Sequence, residues 1–159
     1  MIKVGDRLPQ VDFYTMTGDG KQKIASDVIF AGRKVVLFAL PGAFTPTCHM
    51  NHLPGFIAAA EAIKAKGVDT IACTSVNDVH VMSAWGKATG ADGKVLMLAD
   101  GNGEFARAVG LARDYSDAGM GERSRRYSMI VVDGVVGALN IDEKPGVAVS
   151  GAETILGQL

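Results

Sequence analysis

Cysteine is scarce in this chain. Cys48 and Cys73 are the only two among 159 residues, too few for a disulfide scaffold and in keeping with a reducing cytosol. They do not form a C-x-x-C pair, which excludes a dithiol oxidoreductase built on that motif. Histidine is equally sparse, with His49, His52 and His80. Cys48-His49-x-x-His52 puts metal-ligating types at helical spacing, but a closed zinc site needs a fourth ligand and none lies nearby in sequence. We expect no metal. Charge of either sign is nearly balanced, at a net −1. No basic run exceeds Arg123 to Arg126, so no nucleic-acid footprint is present. No apolar run approaches the ~20 residues that span a bilayer. The first residues, Met1-Ile2-Lys3-Val4-Gly5-Asp6, have no apolar signal region. The expectation is a cytoplasmic protein that stays where it is made.

Glycine is plentiful, at 20 residues, and stands mostly at element boundaries, which indicates short tight loops. No repeat or linker interrupts the chain, and its length suits one domain spanning residues 1–159. Residues 1 to 33 read as short extended pieces and turns. Thr17-Gly18-Asp19-Gly20 marks a hairpin within them. Lys34 to Leu40 reads as a fully buried strand, with Val35, Val36, Leu37 and Phe38 in succession. A helix follows Cys48, carrying Leu53, Phe56, Ile57, Ala60 and Ile63 on one face. Pro54 predicts a kink near residues 50 to 54, and Gly67 closes the helix. Val68 to Val76 is the next strand. Asp78 caps a helix to about Lys87. Val95 to Ala99 is a strand and Gly103 to Val109 a short helix. Asp114 to Glu122 reads as a polar loop. Strands over Tyr127 to Val132 and Val135 to Ile141 flank Asp133-Gly134, a strong hairpin signal. Ala152 to Leu159 is a terminal helix. This order predicts an α/β protein with a thioredoxin-like fold, a central mixed sheet flanked by helices.

The stretch Pro41-Gly42-Ala43-Phe44-Thr45-Pro46-Thr47-Cys48 joins the buried strand to the helix, where α/β proteins place their chemistry. Thr45 suits the N-cap and Pro46 the first helical position. Cys48 then falls in the first turn, its N–H within reach of the Thr45 hydroxyl. The unpaired N–H groups and the helix dipole favour an anion there, so the pattern proposes an activated cysteine. The competing reading is an inert buried thiol.

Pro41, Thr45 and Cys48 match the P-x-x-x-T-x-x-C signature of peroxiredoxins, and PGAFTPTC resembles the type II subfamily. His52-Leu53-Pro54-Gly55-Phe56, Ser75-Val76-Asn77-Asp78, Ala84-Trp85-Gly86-Lys87 and Arg125-Arg126-Tyr127-Ser128 extend the resemblance over nearly the whole chain. It implies a thiol-dependent peroxidase.

Peroxide reduction needs a nucleophile, a pocket, and donors aimed at the leaving oxygen. Cys48 supplies the nucleophile. Thr45 lies beside sulfur and peroxide, and Pro41 shields the site. Backbone N–H groups of Gly42, Ala43 and Cys48 are candidate donors, and Gly42, Ala43 and Phe44 form the substrate-binding turn. A fixed cation would complete the site. The residues alone leave Arg123, Arg125 and Arg126 in competition. The resemblance selects Arg126 and leaves the other two as solvated turn residues. It also accounts for His52 without a metal, leaving His49 on the surface.

The sulfenic acid formed on Cys48 must be resolved by a thiol. Cys73 lies in the apolar strand Ile71-Ala72-Cys73-Thr74 and reads as core. The resemblance points to an external reductant, glutathione with glutaredoxin, or thioredoxin, because no cysteine follows Asn140. The expected cycle uses one cysteine and no cofactor. An apolar surface near Phe44, Val81, Met82 and Trp85, together with the resemblance, suggests a homodimer. The alternative function is a non-enzymatic peroxide-sensing module of the same fold. A thiol hydrolase is disfavoured, since His52 is poorly placed on the same helix as a general base for Cys48.

Overall fold

Alternation along one strand divides the molecule into two layers of core. In a computed structural model that describes residues 1–159, Lys34–Ala39 forms β3. Val36 and Phe38 face one core and Val35, Leu37 and Ala39 the other, as the period of 2 requires. Both faces are covered, which is why this strand reads as an unbroken apolar run.

The other strands are β1 (Asp12–Thr17), β2 (Gly20–Ala25), β4 (Thr70–Ser75), β5 (Leu96–Ala99), β6 (Ala112–Asp114), β7 (Glu122–Ser124), β8 (Tyr127–Val132) and β9 (Val135–Ile141). Six of these join β3 in one seven-stranded sheet, in the order β2-β1-β5-β4-β3-β8-β9. β3, β4 and β5 are parallel, while β1 and β8 join antiparallel on either side. The sheet is therefore mixed, as expected for the thioredoxin-like fold. The helices are α1 (Ser26–Phe30), α2 (Leu53–Ala65), α3 (Val79–Thr89), α4 (Glu104–Ala108) and α5 (Ala152–Gln158). Phe56 and Ile63 of α2, Trp85 of α3 and Ile155 of α5 pack on one face. Phe30 of α1 and Phe105 of α4 pack on the other.

Local chemistry accounts for most boundaries. Asp78 caps α3 by accepting from the N–H groups of His80 and Val81 at 2.8 and 3.0 Å. Asp133 and Gly134 both take positive φ, 49° and 77°, which gives the β8–β9 turn the twist of its strands. Two stretches differ from expectation. Residues 1 to 33 contain α1 as well as the β1–β2 hairpin. The residue before α1 is Ala25 and makes no side-chain cap. Ser26 is occupied elsewhere, accepting from Val11 N–H and donating to the Pro9 carbonyl, so the usual start signals are missing. The polar loop at Asp114 to Glu122 is bounded by a small hairpin, β6–β7.

The predicted kink near Pro54 takes another form. Cys48–His52 is one wide π turn, and the N–H of Leu53 donates to the Cys48 carbonyl. Pro54 then stands in the first turn of α2, where a missing N–H costs nothing. The helix widens at the place where the proline predicts an irregularity. Turns of this kind are often found at functional sites.

Candidate active site

The site begins where β3 ends and the chain turns into the helix. Thr45 sits at the cap position, since its carbonyl accepts from His49 N–H at 2.8 Å. Its hydroxyl does not reach Cys48. It donates to the Gly42 carbonyl at 2.7 Å, because the turn folds back and brings that acceptor closer. With its proton so used, Thr45 Oγ1 keeps only its capacity to accept. The N–H of Ala43 is likewise taken, donating to Asn77 Oδ1 at 3.0 Å. Asn77 is held in turn by the Ser75 hydroxyl at 2.7 Å. Of the three expected backbone donors, Gly42 and Cys48 remain free of protein acceptors.

Phe44 holds a left-handed φ of 63°, a costly conformation for a bulky residue. The turn is stabilised around it. Phe44 is 49% exposed and lies over His49, with ring centroids 5.7 Å apart. His49 is not a surface residue: it is half-buried, and its Nδ1 accepts from Trp85 Nε1 at 2.9 Å. Trp85 and Met82 are fully buried, so the apolar surface expected there reduces to Phe44 and the half-buried Val81.

Cys48 is 1% exposed and receives a hydrogen bond from Arg126 Nη2 at 3.3 Å. The other arm of the same guanidinium, Nη1, lies 2.9 Å from His52 Nδ1. Cys48 and His52, one turn apart, are gripped by a single fork. Arginine can only donate, so His52 Nδ1 must accept and the ring proton sits on Nε2. That proton goes to the Ser150 carbonyl at 2.9 Å. His52 packs at a tilt against the stacked pair Phe38 and Phe56, with centroids 5.1 and 5.7 Å away. Burial, reinforced by the Arg126 charge, pushes its pKa down to about 4, although the Ser150 hydrogen bond opposes the shift. The ring is neutral at pH 7. Its nitrogens serve Arg126 and Ser150, and no group of three or more acidic, thiol or imidazole ligands converges anywhere in the molecule.

The competing arginines are not solvated. Arg123 is half-buried, donating from Nε to the Met120 carbonyl at 2.9 Å and from Nη1 to the Pro41 carbonyl at 3.3 Å. It braces the back of the reactive turn. Arg125 pairs with Glu143. Proximity in sequence concealed these separate tasks. Cys73 lies in β4 opposite Phe38 of β3, wholly buried, and burial holds its thiol well above the ordinary range. Both cysteines are free thiols.

Known proteins are similar to this chain over nearly its whole length. The redoxin family model matches residues 3–156. Peroxiredoxin-2E-2, chloroplastic, of Oryza sativa subsp. japonica is 51% identical over 160 residues, covering 98% of this chain and 71% of that protein. The chain belongs to the peroxiredoxins. It is a thiol peroxidase of the type II group. Peroxiredoxin-2D of Arabidopsis thaliana is 45% identical over 157 residues, covering 98% of this chain and 96% of that protein. Among solved structures, reduced Prx3 of Vibrio vulnificus in complex with hydrogen peroxide superposes with a TM-score of 0.96. It is 49% identical, with 99% of each chain covered.

Sequence reasoning missed the residues behind Arg126. In the sequence His52 stands only as part of a segment shared with the resembled family, and Ser150 and Asp142 carry no signal. Nothing local could have joined them, since 98 residues separate His52 from Ser150.

Proposed function

We propose that this peroxiredoxin reduces hydrogen peroxide and small alkyl hydroperoxides through Cys48 alone, with an external thiol closing the cycle. The fork of Arg126 between Cys48 Sγ and His52 Nδ1 carries the reading. The guanidinium donates to the sulfur, and a permanent charge held there can stabilise the negative charge that develops on the leaving oxygen.

The thiolate attacks the terminal peroxide oxygen. A sulfur–oxygen bond forms as the oxygen–oxygen bond breaks, leaving Cys48 sulfenic acid and an alkoxide or hydroxide that takes a proton to become alcohol or water. Thr45 Oγ1, as acceptor, holds the peroxide proton. Gly42 and Cys48 N–H groups and Arg126 stabilise the departing oxygen. Pro41 and the near-complete burial of Cys48 restrict entry to small peroxides, past Ala43 and Phe44. A first thiol then condenses with the sulfenic acid, releasing water and forming a mixed disulfide, and a second releases Cys48. Glutathione with glutaredoxin, or thioredoxin, fits that role. Sulfur carries the redox change, so the cycle draws on no metal, haem or flavin.

The position of Cys73 supports external resolution. It sits in a central strand, and a thiol kept protonated by burial is a poor attacking group. A homodimer in the cytoplasm belongs to the same proposal, with exposed Phe44 and Met50, 49% and 79% accessible, supplying apolar contact beside the site.

Peroxide consumption coupled to glutathione and glutaredoxin, or to thioredoxin and its reductase, tests the cycle. Cys48→Ser is expected to abolish turnover and Cys73→Ser to retain it. Loss of turnover in Cys73→Ser would contradict the one-cysteine cycle.

A further inference from the structure

Behind Arg126 lies a line of polar side chains that makes no hydrogen bond to the sulfur. The N–H of Asp142 donates to the Arg126 carbonyl at 3.0 Å, so the two residues are backbone neighbours just beyond the β8–β9 ladder. The Asp142 carboxylate turns the other way and gathers the chain before α5. Its Oδ1 accepts from Ala148 and Val149 N–H, each at 3.0 Å. Its Oδ2 accepts from Ser150 N–H at 3.2 Å and from the Ser150 hydroxyl. Burial alone would raise this carboxyl, but the Ser150 hydroxyl and the backbone donors outweigh it and hold it below its ordinary range. Ser150 thus clamped presents its carbonyl to His52 Nε2 at 2.9 Å.

We infer that Asp142 is a positioning residue for the peroxidase reaction: by fixing the Ser150 carbonyl it selects the His52 ring form whose bare Nδ1 faces Arg126, and so keeps the guanidinium aimed at Cys48 Sγ. This rests on the reading of Arg126 given above. A neutral imidazole has two ring forms, and only one suits this place. With Ser150 displaced, the Nδ1–H form would set a donor against a donor at Arg126 Nη1, and the fork would turn off the sulfur. His52 and Asp142 are both buried, each Asp142 oxygen accepts from two donors, and the Ser150 hydroxyl oxygen, 3.4 Å from His52 Nε2, adds a second acceptor for the same ring proton.

Asp142→Asn separates this role from simple anchoring of the loop. The amide oxygen still accepts from Ala148 and Val149, while its nitrogen turns a donor toward Ser150 N–H. The rate of Cys48 oxidation by hydrogen peroxide is measured by stopped flow for Asp142→Asn, His52→Leu, the double variant and Arg126→Gln. Nitrogen-15 spectra of the histidine rings are recorded alongside. Asp142→Asn is expected to slow oxidation about tenfold in the wild-type background and to add nothing to His52→Leu. His52 should be wholly the Nε2–H form in wild type and a mixture in Asp142→Asn. An equal slowing in both backgrounds, or an unchanged ring form, would overturn the inference and leave Asp142 as a loop anchor. If Asp142→Asn fails to fold, Ser150→Ala carries the same ring-form test, with a mixture again expected. If Arg126→Gln keeps the wild-type rate, the reading of Arg126 falls and this inference with it. If Arg126→Gln is slow and Asp142→Asn is not, only the inference falls.

Discussion

Acid should unfasten this site through one ring. His52 ordinarily takes a proton near 6.5, but in the folded protein only near 4. Between those values the unfolded chain binds a proton on His52 that the folded chain refuses. The stability at stake is complete above pH 6.5, drains away as pH falls, and levels off below about 4. At about 1.4 kcal/mol per pH unit, the full window is worth about 3 kcal/mol, of which about 2 kcal/mol is lost between pH 7 and pH 4.5. Two carboxyls act beside it. Burial raises Asp100, so acid favours the fold there, and Asp142 is held low, so its loss comes beneath this window. Subtracting a variant isolates the ring. His52→Gln keeps an acceptor for Arg126 and a donor for Ser150 but cannot titrate. Urea midpoints read by the fluorescence of Trp85, the single tryptophan, should fall by about 1 M more in wild type than in His52→Gln over that range. Midpoints that move in parallel would refute the reasoning, since they would mean that the ring is not held neutral by its surroundings.

Three further outcomes follow from the geometry. Arg126→Gln should cut the rate of peroxide oxidation of Cys48 by about 10²–10³-fold in stopped flow, because one charged donor serves both the thiolate and the leaving oxygen. Gly42→Ala should slow the same step about tenfold with less than about 1 kcal/mol lost in urea unfolding. Its new methyl would meet Arg123 Nη1, Thr45 Cγ2 and Met120 Cε at 3.0 to 3.2 Å, all side-chain atoms able to shift and to take Thr45 with them. Asp78→Ala should cost about 1 kcal/mol of stability through loss of the α3 cap, with the oxidation rate unchanged.

How much the sequence discloses depends on how local the cause is. Asp133-Gly134 announces its hairpin because the turn's backbone angles demand those residues. Asp78 announces its helix because a cap acts over one turn. Thr45-Pro46 places the helix start and Cys48 in its first turn correctly. The same stretch misleads on the Thr45 hydroxyl, since the Gly42 carbonyl that captures it becomes available only once the turn has closed. The π turn hides for a related reason. A proline inside a helical pattern says that one hydrogen bond must be lost, but not whether the chain bends or widens to lose it. Helix α1 is invisible because its opening serine is spent on Pro9 and Val11. Arg126 was separable from Arg123 and Arg125 only by resemblance, and its partners His52, Ser150 and Asp142 meet through tertiary folding alone. The nucleophile is local and legible; the apparatus that aims the arginine is neither.

The central claim, that Cys48 is the one thiol that peroxide oxidises, is tested most directly by intact mass. Fully reduced protein is given one equivalent of hydrogen peroxide, with Cys48→Ser as control. The account predicts a product one oxygen heavier, captured by a sulfenic-acid reagent and absent from the control. A product two hydrogens lighter would bring Cys73 into the cycle and contradict it, as would an identical change in the control.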